Sequence, residues 1–227
     1  MRPLLISDIF SRQDVLNSQR AIKQFLADHA YAFATVGVIP NINAAKGTAS
    51  VIFNVDVGKQ VYVRRIDFTG NAKTDQSVLR REIRQMEAAP YSLTHVEQSK
   101  RHLRLLPYFP KVDVSKTPVL DTNNQVDLTY HVEERPAGKA SIQGGYSSAN
   151  GFVYGASISQ PNFLGSGKFV SIGFNNGEHS QRYYLSYTNP YYTWNHISRG
   201  FVLYYNLNHY TETYNYTPYT MDSYGAD

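Results

Sequence analysis

Cysteine is absent from all 227 residues. That excludes a disulfide framework, thiol catalysis and thiolate-held metal. No apolar run approaches the roughly 20 residues that a membrane-spanning helix needs, so any crossing has to be made by strands. The opening Met1-Arg2-Pro3-Leu4-Leu5-Ile6 is too short an apolar run for a secretory signal and lacks a small-residue cleavage site. Charge is the third shortage, and it is local. From Lys139 onward stand only four of the chain's 22 basic and four of its 18 acidic residues. The net charge of +4 is mild. Its basic cluster, Arg80, Arg81, Arg84, Lys100, Arg101 and Arg104, falls on two expected helices. Solvated faces, or a face for an acidic protein, account for it, and no nucleic acid partner is expected.

Tyrosine fills the charge-poor stretch: 14 of the 19 follow Lys139. Apolar and polar residues alternate there. Val170, Ile172 and Phe174 alternate with Phe169, Ser171, Gly173 and Asn175. Tyr183, Leu185 and Tyr187 alternate with Arg182, Tyr184, Ser186 and Thr188. Phe201, Leu203, Tyr205 and Leu207 alternate with Val202, Tyr204, Asn206 and Asn208. A soluble sheet alternates too, but its wet face carries more charge. Tyr-rich strands with one apolar and one polar face fit a membrane β-barrel. About five such strands are expected, against about eight in the smallest closed barrel. An open edge is not tolerated in lipid, so the sequence is expected to be a piece of a larger outer-membrane protein.

No catalytic constellation stands out. Gly165-Ser166-Gly167-Lys168 has Asn162 and Phe169 where a phosphate-binding loop needs Gly and Ser or Thr, so it reads as a turn. His95 and His102 are seven residues apart on one expected helix, too far for a compact metal site without further ligands. No enzyme activity, metal or cofactor is expected.

The first half contains a repeat. Val15, Ser18, Ile22 and Phe25 match Val96, Ser99, Leu103 and Leu106 at an offset of 81, both sets on one helical face. Ser11 and Ser92 supply a hydroxyl where an N-cap belongs. Each helix leads to extended segments: Val51, Phe53, Val55 and Val57 in the first copy, Val126, Leu128, Tyr130 and Val132 in the second. The second copy has more upstream. A strand is expected over 61–69 with Ile66 and Phe68 on one face, then the turn Gly70-Asn71. A helix capped by Thr74 follows, with Leu79, Ile83 and Met86 inward. The unit is strand–helix–helix–strand–strand over about 61–135. The first copy lacks its opening strand and helix, which predicts truncation.

Such a module, running into membrane strands, resembles the POTRA-plus-barrel family of Gram-negative outer membranes. Five motifs carry the resemblance, in the family's order: Arg64–Asn71, Leu79–Glu87, Val132–Gly138, Gln160–Gly167 and Thr188–Tyr192. The fold class expected is α+β POTRA modules (β-α-α-β-β) followed by the first strands of an antiparallel transmembrane β-barrel. The expected divisions are a partial POTRA over 1–59, a complete one over 60–136 and barrel strands over 137–227. The resemblance implies noncovalent work in the outer membrane with the modules in the periplasm: binding unfolded outer-membrane proteins and promoting their insertion. It also implies a docking face for lipoprotein subunits of an assembly complex at Arg80, Arg81, Arg84 and Glu87. It further implies a gate in the first barrel strand, at Ala140, Ile142, Gly144, Gly145 and Tyr146. A secretion transporter of the same architecture and a soluble periplasmic binding module are the rival readings.

Overall fold

Ser11 is extended (φ −123°) and its hydroxyl accepts the Asp14 N–H at 3.4 Å, which starts α1 (Arg12–Asp28) where the sequence placed a cap. Ala30, at φ 72°, turns the chain out of the helix. β1 (Thr35–Asn43) and β2 (Thr48–Asp56) then pair antiparallel, from Thr35 opposite Asp56 to Asn43 opposite Thr48. The second copy supplies β3 (Tyr62–Thr69), α2 (Gln76–Arg80), α3 (Leu93–Leu105), β4 (Lys111–Pro118) and β5 (Gln125–Glu133). The computed structural model describes residues 10–43, 47–120, 122, 124–147, 151–193, 195, 197–210 and 219–227. They form two units. One is Met1–Gly70 with Leu79–Leu105 and Lys111–Val132; the other is Asn71–Val78 with Leu106–Pro110 and Glu133–Asp227.

In the first unit the sheet order is β3-β5-β4, with β3 parallel to β5. Central β5 buries Val126, Leu128, Tyr130 and Val132 as its alternation required. Val63 and Ile66 from β3, Val112 from β4, and Val96, Ser99 and Leu103 from α3 close the core. α3 has the expected Ser92 cap, whose hydroxyl accepts the His95 N–H at 3.3 Å. Asp28 reinforces it, accepting the Thr94 N–H at 2.7 Å and the Thr94 and Ser92 hydroxyls at 2.8 and 3.1 Å. Burial would raise the Asp28 carboxyl; these bonds, led by the Thr94 N–H, hold it below its usual range.

Three expectations are corrected here. The helix expected through 79–87 stops at Arg80. Glu82 and Ile83 donate to the carbonyls three residues back, so the chain tightens into turns. Ser99 Oγ then takes the Arg84 N–H at 2.8 Å, and the Gln85 side chain ties Met86, Pro90 and Ser92. Tertiary bonds thus override a strong helical propensity. Of the inward Leu79-Ile83-Met86 stripe expected, Leu79 is fully buried and Ile83 half-buried, but Met86 is 75% exposed, while Glu82 and Gln85 are buried. Thr74 is no cap, since α2 begins at Gln76. In the first repeat copy Val15 is buried but Phe25 is exposed.

The second unit carries six strands in sequence order, all antiparallel, where about five were expected. They are β6 (Lys139–Ser147), β7 (Gly151–Phe163), β8 (Lys168–Asn176), β9 (Ser180–Asn189), β10 (Arg199–Tyr210) and β11 (Tyr219–Ala226). β11 went unread because its residues do not alternate cleanly in polarity. Register sets Ile158, Ile172, Leu185 and Leu203 side by side on one face. On that face Tyr154, Phe174, Tyr183 and Tyr205 form a row with ring centroids 6.3–6.5 Å apart. Tyr187 and Phe201 form a second row on the other side of the aliphatic band, at 5.3 Å. An apolar band between aromatic rows is the pattern of a lipid-facing barrel wall. The opposite face is polar and small. There Tyr184 covers Gly173 and Tyr204 covers Gly225, each ring filling the space a Cβ would take. The lipid-facing row continues onto β6 as Ala140, Ile142, Gly144 and Tyr146, by pairing with Ile158, Ala156, Tyr154 and Phe152.

Candidate functional site

Three places combine sequence motifs with unusual geometry. The first is the 80–87 segment. Arg80, Arg81, Arg84 and Glu87 do not share a helical face, because the helix ends at Arg80. Arg80 and Glu87 do meet: Nη1 lies 3.2 Å from Oε1. Both reach back to β3. Glu87 Oε1 accepts the Ile66 N–H at 2.8 Å, and Arg80 Nη2 donates to the Ile66 carbonyl at 3.1 Å. The Arg80 guanidinium also lies 5.6 Å from the centre of the Phe68 ring. The Ile66 N–H, and then Arg80, hold the Glu87 carboxyl below the usual carboxylate range. Arg81 turns to Glu82, 3.8 Å away, while Arg84 is exposed. Sequence reasoning missed the bond from this pair to Ile66, because no periodicity signals it.

The second place is β6, which ends the six-stranded sheet. Ala140, Ile142, Gly144, Gly145 and Tyr146 all lie on it and all are exposed, Ile142 at 91%. Nothing lies within 4 Å of a Cβ built on Gly145. Two polar ties bind β6 inward: Ser141 Oγ to Ser157 Oγ at 2.7 Å, and Gln143 across Gly155 to Asn175 on β8. A side chain on Gly155 would collide with that second tie. Both were invisible in sequence, since register alone brings the partners together.

The third place gathers distant motifs inside the second unit. Glu134 accepts the Lys73 and Thr74 N–H groups at 2.9 and 2.8 Å, one on each oxygen. Asn162 donates to Thr74 Oγ1 and accepts the Gly167 N–H, both at 2.7 Å. The Asp75 N–H donates to the Gly165 carbonyl at 3.0 Å. Gly165 is at φ 76°, and a Cβ there would sit 2.0 Å from the Lys73 carbonyl oxygen. Only glycine allows that approach. Pro161, which cannot donate to a ladder, occupies the irregularity between Gln160 and Phe163.

Among the described residues no three metal-ligating side chains gather, and no helix is long and apolar enough to cross a membrane. Comparison with known families matches POTRA, surface antigen variable number repeat, at residues 3–58 and 61–135, and the Omp85 superfamily domain at residues 162–227. The chain is similar to outer membrane protein assembly factor BamA of Neisseria meningitidis serogroup B, 33% identical over 86% of this chain and 24% of that protein. It is also similar to BamA of Buchnera aphidicola, 30% identical over 88% of this chain and 32% of that protein. It thus spans about a quarter to a third of these relatives. Among solved structures, BamA from Haemophilus ducreyi lacking POTRA domains 1–3 superposes with a TM-score of 0.88 at 34% identity, over 98% of this chain and 42% of that one. CdiB from Escherichia coli shares the fold, with a TM-score of 0.53 at 13% identity over 93% of this chain and 39% of that one.

Proposed function

Since the chain belongs to the family that joins POTRA repeats to an Omp85 superfamily domain, we propose that it works in outer-membrane β-barrel assembly, binding unfolded outer-membrane proteins and promoting their folding and insertion. The work is noncovalent and uses neither cofactor nor metal. The strands sit in the outer membrane and the POTRA modules in the periplasm. An extended client segment adds to a POTRA sheet edge by main-chain hydrogen bonds, which give affinity without strict sequence demands. BamD-like lipoprotein subunits dock on the 80–87 segment, where Arg84 and Met86 are exposed. The secretion-transporter reading is the less supported one, since the relatives at 30–33% identity are assembly factors.

The observation that carries the proposal is β6. Within this chain its one strand neighbour is β7, it is rich in small residues, and besides the β7 ladder two polar side-chain ties bind it inward. Such a strand is the least costly place for a sheet to accept a new neighbour. The test places a photocrosslinking amino acid at Ile142, or at Ile172 inside the sheet, in the full-length protein during client assembly. Client capture at Ile142 well above that at Ile172 is expected. Equal capture at both positions would remove β6 as the gate.

A further inference from the structure

β3 lies at one end of its three-stranded sheet, so its outer row of backbone groups has no strand in the ladder with β5. A neighbouring segment covers part of that row. The Tyr91 N–H donates to the Val61 carbonyl at 3.1 Å, the Val63 N–H to the Ala89 carbonyl at 2.9 Å, and the Ala88 N–H to the Val63 carbonyl at 2.7 Å. Tyr62 and Pro90 form the bridge. The covering chain then leaves the edge: Ala88 has φ 60°, a left-handed conformation that a non-glycine residue adopts only when its surroundings impose it.

The next outward residue is Ile66, because the register shift between Val63 and Arg65 displaces the alternation by one. Here side chains replace backbone. Glu87 supplies the acceptor for the Ile66 N–H and Arg80 the donor for its carbonyl. The two are joined to each other at 3.2 Å. A carboxylate and a guanidinium thus occupy the two hydrogen-bonding positions that a docking strand would use. Their side chains are 41% and 46% exposed, so core packing does not require them there. An exposed ion pair contributes little by itself. Closing an edge against unwanted strand pairing, by contrast, is a recurrent need of open sheets.

We propose that Arg80 and Glu87 form a side-chain lid that mimics a strand at Ile66 and bars strand addition along β3. An extended client segment is thereby directed to β4, the other end of the same sheet. This choice of edge rests on the strand-addition reading above; the lid itself does not. The lid also explains why Glu87 can lie at a docking surface and still be tied into the module: a partner that draws Glu87 away would uncover the edge beside its own binding site.

Two readouts on the full-length protein test this. Hydrogen exchange follows the Ile66 amide. Photocrosslinkers at Arg65 on β3 and Ser115 on β4 report capture of a urea-denatured outer-membrane β-barrel protein. In the wild type, capture at Ser115 exceeds capture at Arg65. In an Arg80→Ala, Glu87→Ala double variant, Ile66 exchange accelerates about tenfold or more while β5 stays protected, and capture at Arg65 rises about fivefold. Glu87→Gln keeps an acceptor for Ile66 and leaves the edge closed. Unchanged Ile66 exchange in the double variant overturns the lid. So does a Glu87→Gln variant as open as the double one, because the device would then act through charge and not as a strand mimic. If β5 loses protection in the double variant, Arg80→Ala alone decides by the same readouts. No capture at Ser115 in the wild type refutes client addition at β4, while Ile66 exchange still decides the lid.

Discussion

β3 and β6 are both terminal strands, and they end their sheets in opposite ways. The outer row of β3 is answered at Val61, Val63 and Ile66, first by the 88–91 backbone and then by Glu87 and Arg80. β6 pairs with β7 through nine residue pairs, and among the described residues no hydrogen bond reaches its other side. The β3 sheet has its apolar residues inside, and its β3 edge is the covered one. The β6 sheet presents its apolar row outward. The same period-two alternation serves both, so what differs is which face the surroundings wet.

The sharpest way to break this comparison is through burial. Leu103 is fully buried behind the covered sheet, and Ile142 is 91% exposed on the bare strand. Leu103→Ala is expected to cost roughly 2–5 kcal/mol, through lost burial and the cavity left behind. Ile142→Ala should stay within about 0.5 kcal/mol. Denaturant unfolding of each variant in detergent measures both. A Leu103 cost near that of Ile142 would show that the first unit has no specific core and that the two sheets are alike.

Glycines sharpen the comparison at the next level. Gly165 lies at φ 76° with the Lys73 carbonyl where its Cβ would be, whereas Gly145 on β6 has open space. Gly165→Ala should destabilise by about 1–3 kcal/mol through backbone strain, and more if the Asp75–Gly165 hydrogen bond is lost. Gly145→Ala should be nearly neutral or slightly stabilising, since a strand glycine costs chain entropy. Thermal melts would contrast the two. Equal shifts would mean that the 73–75 segment yields to the new methyl and that the contact is soft.

How much of this was legible beforehand depended on whether a feature is local. Alternation in Val126–Val132 gave the central strand, and Ser11 and Ser92 were readable as caps because capping is settled within three residues. The first barrel strand was expected over about Lys139–Ser147, and β6 has those bounds. The helix over 79–87 was misread, since Ser99, Gln85 and Ile66 compete for its backbone and side chains from far along the chain. Likewise the turn Gly70-Asn71, the junction Val132–Gly138 and the segment Gln160–Gly167 were each recognised. Nothing in their spacing said that one carboxylate and one amide would draw them together. Arg80 and Glu87 were read as charges on one helix face, and their meeting at Ile66 on the β3 edge is a product of tertiary structure.

The smallest effect tests the covered edge alone, through acid. Glu87 is held below its usual carboxylate range, first by the Ile66 N–H and then by Arg80. A depressed folded-state value means that the unfolded chain takes up the proton at higher pH than the folded one. The contribution to stability is therefore complete above the ordinary glutamate range, near 4.5, and is lost as pH falls through the lower folded value. The group is partly exposed, so the effect on global stability is small. The local effect is readable: the Ile66 amide proton should shift as pH falls below about 4.5, because protonation replaces a charged acceptor by a weaker neutral one. In Glu87→Gln the Ile66 shift should be flat over the same range. A persistent Ile66 titration in that variant would assign it to another carboxylate and remove Glu87 from the edge.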